Sequence, residues 1–365
     1  MHYLFHLGHP AHFHLFKNTI ALLQEKNNRI TIVIKKKDIL EDLLKESGFP
    51  YLNILPQGRK DTKLGIALGV LEKDIKLFSF CRKNRPGLLI GTSAEISHIG
   101  KLLNIPSIVL SEDDYHVIRT FALMTYPFAK CVLSPVTCDN GKWNNKTIAY
   151  KGYHKLAYLH PKRFSKDSDI LKKYPEIRKP YAIIRFAKLT AHHDEGIKGI
   201  NDELARQIIA TVVKHGVKPY ITSERPLPEE FEEYKLKIEL NDIHQILSQA
   251  KLFIGDSQSM SVESAMLGVP SIRYSDFAGE IGVLEELEHK YRLTKGIRTE
   301  EPQQLLQTIE DFLSNEKLQK MMTKGREKML QDKIDVTAFF VWFFENFPES
   351  YQIMKDDPDY QWKFK

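Results

Sequence analysis

Short apolar segments alternate with longer amphipathic ones along most of the chain, a pattern typical of α/β proteins. Tyr3–Leu7 and Arg29–Ile34 are apolar runs of strand length. Between them, apolar residues recur at helical spacing from about residue 12 to 26, at Phe13, Phe16, Ile20 and Leu23. This alternation of strand and helix with short loops predicts a parallel sheet covered by helices on both faces.

The strand–helix series is interrupted once and then starts again. It breaks near residues 151–161, and residues 162–180 are charged, polar and bounded by proline, as connections between domains often are. A new strand, Tyr181–Phe186, opens the second series. Since 365 residues exceed one ordinary hydrophobic core, we predict an N-terminal domain over 1–161, a linker over 162–180 and a C-terminal domain over 181–335.

The last segment, 336–365, is predicted as a helix and tail that return to the N-terminal domain. Its first part is densely aromatic, with Phe339, Phe340, Trp342, Phe343, Phe344 and Phe347. A helix packed into a groove between the domains accounts for such a run. An amphipathic membrane anchor is the alternative, although the run has no basic residues of its own.

The most informative stretch is Leu252–Ser271, which predicts a buried strand, a turn of small residues and a helix ended by Gly268. The turn carries no acidic residue between Asp256 and Glu263. The first turn of the helix therefore offers backbone N–H groups and the positive end of the helix dipole, which suit a phosphate or diphosphate. The small residues expected at this anion site are Gly255, Ser257, Ser259 and Ser261.

Glu263 lies one turn further into this helix, where a carboxylate can accept hydrogen bonds from the diol of a ribose. The alternative is a serine-capped helix that binds no ligand, because serine caps are common. The local pattern alone does not decide between them.

Four loops of the N-terminal half follow predicted strands, the place where ligands of parallel sheets bind. These loops are Gly8–His14, Pro56–Lys63, Gly91–Glu95 and Ser111–His116. The first loop carries three histidines, His9, His12 and His14. A histidine at such a turn suits an acid/base group or a hydrogen-bond donor that faces a substrate. A structural role is one alternative, and a zinc site is another, although no nearby ligand set is complete.

The loop Ser111–His116 groups Glu112, Asp113 and Asp114 with a histidine, the residue types that general-base chemistry uses. Asp113 is our candidate general base in this loop, as His12 is in the first loop. Asp113 or Asp114 could instead cap the following helix.

Composition narrows the class of partner. With 42% hydrophobic and 27% charged residues, the chain has the composition of a globular protein. A net charge of +6 does not make a nucleic-acid binder of this size, but it suits anionic small substrates or an anionic membrane surface. Three cysteines without paired spacing, no signal peptide and no membrane-spanning run favour a cytoplasmic protein, with peripheral contact at the inner face of the membrane left open.

Four motifs carry a resemblance to a known family. They are His9-Pro10-x-His12-Phe13-x-Leu15-Phe16, Ile90-Gly91-Thr92-Ser93, Lys151-Gly152-Tyr153 and the stretch from Gly255 to Pro270. In their order and spacing the chain resembles the DUF354 group of glycosyltransferase-like proteins. That group is similar to the GT-B superfamily, which includes MurG and the non-hydrolysing UDP-N-acetylglucosamine 2-epimerases. The resemblance implies two Rossmann-like parallel-sheet domains with an interdomain cleft and a C-terminal helix packed near it.

The resemblance also implies roles for individual residues. The stretch from Gly255 to Ser261, including Met260, would hold the diphosphate of a nucleotide-sugar donor, and Glu263 its ribose. His12, with His9 beside it, stands where MurG-like enzymes have a functional histidine. Arg185 would face the donor phosphates. The residues that would flank the base are Ser223, Arg225, Ile243 and the backbone at His244.

The leading hypothesis is a metal-independent GT-B glycosyltransferase that transfers a sugar from a nucleotide donor, expected to be a UDP-sugar, to a surface-polysaccharide or lipid-linked acceptor. Backbone amides with Ser257 and Ser259 would stabilise the leaving diphosphate. The candidate catalytic residues are His12, Asp113 and His9, and neither a metal nor a cofactor is expected.

Two other classes of function remain open. A sugar-nucleotide 2-epimerase needs the same nucleotide site and several carboxylates around the sugar. Those carboxylates would come from Glu112, Asp113, Asp114, Asp194 and Glu195. A non-catalytic nucleotide-sugar-binding protein would bind the ligand without turnover.

Overall fold

The computed structural model describes residues 1–35, 39–55, 63–187 and 199–365. Its contacts divide the chain into two compact units. Unit 1 is Met1–Arg163 together with Lys333–Lys365, and unit 2 is Phe164–Asp332. Each unit is an α/β structure built on its own parallel sheet.

The described residues of unit 1 form a sheet of seven parallel strands, in the order β3-β2-β1-β4-β5-β6-β7. The strands are β1 His2–Leu7, β2 Arg29–Lys35, β3 Tyr51–Leu55, β4 Leu88–Gly91, β5 Ser107–Leu110, β6 Cys131–Pro135 and β7 Thr147–Tyr150. The helices are α1 Pro10–Glu25, α2 Leu40–Glu46, α3 Lys63–Asn84, α4 Ala94–Leu103, α5 Arg119–Thr125 and α6 Leu156–Leu159, and later α14 Val336–Glu345 and α15 Glu349–Asp356.

Both faces of the unit 1 sheet are buried, as a parallel sheet requires. Successive side chains of β1 point to opposite faces, because the side-chain period of a strand is two. Leu4 lies in an apolar cluster with Leu89 and with Ile96 of α4. Phe5 lies on the other face, where its ring centroid is 5.3 Å from that of Phe16 in α1 and 6.2 Å from that of Phe344 in α14.

The motif Lys151-Gly152-Tyr153 lies where the C-terminal segment rejoins unit 1. The Ile334 N–H donates to the Lys151 carbonyl at 2.9 Å. A Cβ on Gly152 would lie 2.3 Å from Cγ2 of Val336, the first residue of α14. Glycine is therefore needed at residue 152 for the backbone to approach α14 this closely.

The described part of unit 2 forms a sheet of five parallel strands, in the order β12-β11-β10-β8-β9. The strands are β8 Tyr181–Phe186, β9 Lys218–Ser223, β10 Leu252–Gly255, β11 Ser271–Tyr274 and β12 Thr294–Ile297. The helices are α7 Ile170–Lys173, α8 Asp202–Lys214, α9 Ile243–Leu247, α10 Gln258–Leu267, α11 Gly282–Glu285, α12 Pro302–Ser314 and α13 Leu318–Asp332.

Two apolar clusters cover the faces of the unit 2 sheet. Ile184 and Ile254 face α8 and α12, whereas Ile183 and Phe253 face α9 and α10. The second cluster also contains side chains from residues 162–180, the segment predicted as a linker, and these are Ile170, Tyr174 and Ile177. Their spacing of three to four residues gives the segment an apolar side that unit 2 buries, so the segment is part of unit 2.

Among the described helices, none has both the length and the apolar character that crossing a membrane requires. The two parallel sheets and their alternating helices are the α/β architecture predicted from the hydrophobic pattern.

We expect Gly152→Ala to lower the unfolding free energy by roughly 1–3 kcal/mol, because the added methyl group overlaps Val336 of α14. Chemical denaturation measures the loss. Gly87→Ala is the matched control, since the nearest atom to its methyl group is the flexible end of Met1, at 2.9 Å, and the nearest backbone atom lies at 3.7 Å. Equal losses in the two variants would show that close packing at Gly152 is not what holds α14.

Candidate functional site

In the described part of each sheet, the chain first adds strands on one side of its first strand and then switches to the other side. In unit 2 the chain goes from β8 to β9 on one side and then to β10, β11 and β12 on the other. In unit 1 it goes from β1 to β2 and β3, and then to β4 and beyond on the opposite side. Loops diverge at the carboxyl ends of strands at such a switch point, and ligands of open α/β sheets bind in the crevice between them.

The unit 2 switch point lies between β8 and β10, and the helix that follows β10 is α10. Ser257 caps α10, with its Oγ accepting the Met260 N–H at 3.4 Å. The first turn contains no acidic residue. By the geometry of an α-helix, the N–H groups of Gln258 and Ser259 have no acceptor within the helix. This helix start therefore has the donors and the dipole of an anion-binding site.

Not every residue predicted for the anion site presents its side chain there. Ser261 is fully buried, and its Oγ donates to the Ser257 carbonyl at 2.9 Å. The Met260 side chain lies in the apolar cluster below α10, and its N–H is used by the cap. Ser261 and Met260 therefore hold the helix start in place. Ser257 and Ser259 are half-buried, so their hydroxyls are the ones that remain partly accessible in the turn.

Gly255 and Arg185 are neighbours across the switch point. They are register partners in β10 and β8, and a Cβ on Gly255 would lie 2.9 Å from both Cβ and O of Arg185. Gly255 is therefore required for strand packing. The Arg185 guanidinium pairs with Glu224 through Nη2. Its buried Nε has no partner among the described residues, which leaves one N–H donor of this guanidinium unused at the switch point.

Asp256 joins the two sides of the same crevice. Its Oδ1 accepts the Ala187 N–H at 2.6 Å, and its Oδ2 accepts the Ile200 N–H at 3.2 Å. Burial raises the pKa of Asp256 to about 6, although the two backbone hydrogen bonds oppose that rise. The sequence alone predicts no role for Asp256, because its partners lie 56 or more positions away in the chain.

Glu263 forms a buried pair with His244. His244 Nε2 lies 3.3 Å from Glu263 Oε1. His244 belongs to α9, whose first residue is the half-buried Ile243. Only the backbone at His244 was predicted to take part, because the side-chain contact between α9 and α10 depends on tertiary packing.

Ser223 and Arg225, which were predicted to flank the nucleobase of the donor, make contacts within their own loop. Ser223 Oγ donates to the Arg225 carbonyl at 2.6 Å and accepts the Arg225 N–H at 3.1 Å. The Arg225 guanidinium donates to the Ile200 carbonyl and lies 5.0 Å from the Phe186 ring centroid. These contacts hold the loop after β9 in its conformation, so both side chains have a structural role there.

At the unit 1 switch point, His9 and His12 follow β1. His9 Nδ1 accepts the Ala11 N–H at 3.2 Å, and His12 Nδ1 accepts the Gly8 N–H at 3.1 Å. A ring nitrogen that accepts an N–H carries no proton, so each neutral ring carries its proton on Nε2. Thr92, which follows β4, places its Oγ1 2.8 Å from both ring nitrogens of His12 and so bridges the switch point.

The neutral form of His12 is strongly favoured. Burial and the neighbouring His9 and His154 hold the pKa of His12 well below its usual range. In the observed arrangement both predicted histidines therefore carry their N–H on Nε2, which in His12 lies within hydrogen-bond distance of Thr92 Oγ1, and their Nδ1 atoms accept backbone N–H groups. Of the two roles expected for a histidine in this loop, an acid/base group or a hydrogen-bond donor, this arrangement corresponds to the donor.

A buried ionic cluster follows β5 and β7 in unit 1. Glu112 Oε2 lies 2.5 Å from Lys155 Nζ and 3.9 Å from His154 Nδ1. Burial would raise the pKa of Glu112, but Lys155 and His154 outweigh it and hold the pKa below its usual range. Burial lowers the pKa of His154 to about 4. Sequence reasoning missed Lys155 and His154, although both follow a predicted motif at the end of a strand.

The other carboxylates of this loop differ in burial. Asp114 is buried and accepts the Asp139 N–H at 2.7 Å, so it holds a neighbouring loop. Asp113 is half-buried and is the more accessible of the two. Within the described residues, no three His, Cys, Asp or Glu side chains are grouped to hold a metal ion.

Two parts of the predicted site lie outside the described residues. One is residues 56–62 of the loop Pro56–Lys63. The other is the pair Asp194 and Glu195, two of the carboxylates considered for an epimerase.

The sequence profile of DUF354, described as a family of proteins of unknown function, matches residues 4–338. The chain belongs to this family. Its four motifs all fall within the matched residues. Among curated proteins, no sequence matches the chain significantly.

Solved structures with a similar fold include enzymes of two kinds. A putative UDP-N-acetylglucosamine 2-epimerase from Listeria monocytogenes is 13% identical, with a TM-score of 0.65 over 93% of this chain and 96% of that one. The UDP-GlcNAc 2-epimerase of Methanocaldococcus jannaschii, in complex with UDP-GlcNAc and UDP, is 13% identical, with a TM-score of 0.61 over 87% and 94%. A spinosyn rhamnosyltransferase complexed with spinosyn aglycone is 14% identical, with a TM-score of 0.63 over 95% and 100%.

At these identities the likeness concerns the fold. It confirms the predicted GT-B class, with two Rossmann-like parallel-sheet domains. The family resemblance stated from the four motifs is confirmed as well.

We expect Asp256→Asn to change how stability depends on pH. The pKa of Asp256 is about 6 in the folded chain and roughly 3.9 in an unfolded one. The stability contributed by this group is therefore present below roughly pH 4 and is lost as the pH rises through about 6. Asparagine does not titrate, so the variant should gain up to about 3 kcal/mol relative to the wild type between pH 4 and 7.

Urea denaturation of both proteins at several pH values measures this difference. Replacing one carboxylate oxygen by an amide group also changes the unfolding free energy of the variant, but by the same amount at every pH. A difference in unfolding free energy that stays constant from pH 4 to 7 would contradict the assignment.

Proposed function

We propose that this protein is a nucleotide-sugar-dependent glycosyltransferase of GT-B type. Unit 2 binds the donor, and unit 1 binds the acceptor. The observation that carries the proposal is the start of α10 at the unit 2 switch point, where a helix without acidic residues in its first turn follows the sheet edge. Such a helix start binds a phosphate or diphosphate.

The donor site needs no bound cation in this proposal. The N–H groups of the first turn, the hydroxyls of Ser257 and Ser259, and the charge of the Arg185 guanidinium form a positive environment for the leaving diphosphate. Glu263, one turn further along, accepts hydrogen bonds from the ribose diol. We take a uridine nucleotide as the first candidate, since solved proteins of this fold bind UDP or UDP-GlcNAc.

We propose that three residues of unit 1 divide the chemical roles. Asp113 is the candidate base, because it follows β5 and is less buried than Glu112 and Asp114. His12 and His9 are proposed as hydrogen-bond donors through Nε2, because their Nδ1 atoms accept backbone N–H groups. This arrangement lets a carboxylate remove the acceptor proton while neutral imidazoles orient the substrate.

The acceptor class in this proposal is a surface polysaccharide or a lipid-linked glycan. A net charge of +6 suits an anionic acceptor. A cytoplasmic location, with peripheral contact at the inner face of the membrane, belongs to the same proposal.

A 2-epimerase is the second candidate, and the buried Glu112 beside Lys155 and His154 is the observation that favours it. Elimination of the nucleotide requires acid–base groups around the sugar. We rank it below transfer because Glu112 and Asp114 are already engaged by protein groups.

We expect Ser259→Asp to weaken binding of a nucleoside diphosphate by at least about tenfold, because a carboxylate in the first turn of α10 repels the phosphates. The same charge favours the helix, so the variant should remain folded. Gln303→Asp is the matched control, since residue 303 is also the second residue of a unit 2 helix. Calorimetry measures both affinities, and equal loss in the two variants would contradict a donor site at α10.

A thermal-shift screen against UDP-, GDP-, CMP- and dTDP-sugars identifies the donor, because a ligand that binds the folded state raises its melting temperature. Incubation of the stabilising sugar nucleotide without an acceptor then separates the two candidates. We expect no change of the sugar without acceptor and release of the nucleotide with one. Conversion in the absence of acceptor would support the epimerase. Binding without turnover for any acceptor tested would contradict both.

A further inference from the structure

Helix α9 holds one buried histidine against the proposed ribose-binding carboxylate. His244 is 4% exposed and Glu263 is 6% exposed. The two side chains meet with Nε2 of the histidine 3.3 Å from Oε1 of the glutamate. An ionised carboxylate only accepts hydrogen bonds, so the nitrogen that faces it is the one that carries a proton.

The position of His244 is fixed by the packing of α9. Ile246 and Leu247 lie in the apolar cluster that also contains Phe253 of β10 and Met260 of α10. The Tyr181 hydroxyl donates to the Ile246 carbonyl at 2.6 Å. Because α9 is held from two sides, its histidine side chain meets Glu263 from a rigid element, which is what precise placement of a binding group requires.

The start of α9 is held by a second set of contacts. The carboxylate of Asp242 accepts from the Tyr174 hydroxyl at 2.6 Å and from Lys173 Nζ at 2.7 Å. These bonds join α9 to the segment that contains α7. His244 is therefore anchored at both ends of its short helix.

A buried carboxylate needs hydrogen-bond donors to define its orientation. A Glu side chain has three rotatable bonds, and an unpaired buried carboxylate is costly. An N–H donor on Oε1 fixes the plane of the carboxylate. The diol of a ribose can then donate to it in one geometry, whereas a sugar without the 2′-hydroxyl loses one of those bonds.

We propose that His244 is a positioning residue that holds the Glu263 carboxylate in place and thereby gives the donor site its preference for ribose over 2′-deoxyribose. The proposal rests on the function proposed above, since it assigns a role within that nucleotide site. His244 itself touches Glu263 and acts through it.

The test measures, for each protein, the ratio of the dissociation constants of a 2′-deoxyribonucleoside diphosphate and its ribonucleoside counterpart. The probes are UDP with dUDP and GDP with dGDP. In the wild type we expect the ribonucleotide to bind roughly 10- to 100-fold more tightly, the range for a hydrogen bond to a charged group. His244→Leu should bring this ratio close to one, because the carboxylate loses the donor that orients it.

Two further variants separate positioning from a general effect on folding. His244→Gln places an amide N–H near the position of Nε2, so it should restore most of the discrimination. His98→Leu is the matched control, because His98 Nδ1 also meets a carboxylate, that of Asp74 at 3.2 Å, but in unit 1. We expect it to leave the ratio unchanged.

Each outcome has a definite meaning. If the wild type binds none of the four diphosphates, this inference is overturned, whereas the proposed function fails only if the thermal-shift screen also finds no sugar nucleotide that binds. If the wild type prefers ribonucleotides and His244→Leu retains that preference, only the inference is overturned. A wild type that binds ribo- and deoxyribonucleotides equally also overturns it. Loss of the preference in His244→Leu and its recovery in His244→Gln support it.

Discussion

Unit 2 depends on a single carboxylate, that of Asp256, which joins the end of β8 to the residues before α8 at the switch point. Asp256 accepts N–H groups from Ala187 and Ile200, which lie at the two ends of the connection between β8 and α8. The same residue immediately precedes the Ser257 cap of α10. The position of the helix start is therefore tied to the carboxyl end of β8. An anion-binding helix end is useful only if its N–H groups are held in place, and these bonds hold them.

A carboxylate beside an anion site has an electrostatic consequence. Burial raises the pKa of Asp256 to about 6. Asp256 immediately precedes Ser257, the cap of α10, so this titratable group lies next to the proposed diphosphate site. A negative ligand at α10 would raise that pKa further, because like charges disfavour the ionised form. Protonation of Asp256 and ligand binding would then favour each other. The two backbone hydrogen bonds oppose this effect, since they stabilise the charged carboxylate.

The parallel sheets and α10 could be read from the sequence because each depends on local patterns. The alternation of strand and helix, the Ser257 cap and the Gly268 C-cap are properties of a few neighbouring residues. The pairing of His244 with Glu263 and the Asp256 bonds could not be read in this way, because they join residues distant in the chain. The burial of Ile170, Tyr174 and Ile177 was missed for a different reason, since most of their neighbours in the chain are charged or polar and only Ile170 belongs to a helix.

The unit 1 histidines show why residue type alone does not define a chemical role. His9 and His12 were predicted as acid/base candidates from their position after β1. In the structure, the bond from the Gly8 N–H fixes the tautomer of His12 and occupies its basic nitrogen. A base must present a lone pair to the proton that it removes, whereas a group that orients a hydroxyl must present a donor. The backbone around β1 therefore supports the donor role proposed for the histidines, while the proposed base is a carboxylate of the β5 loop.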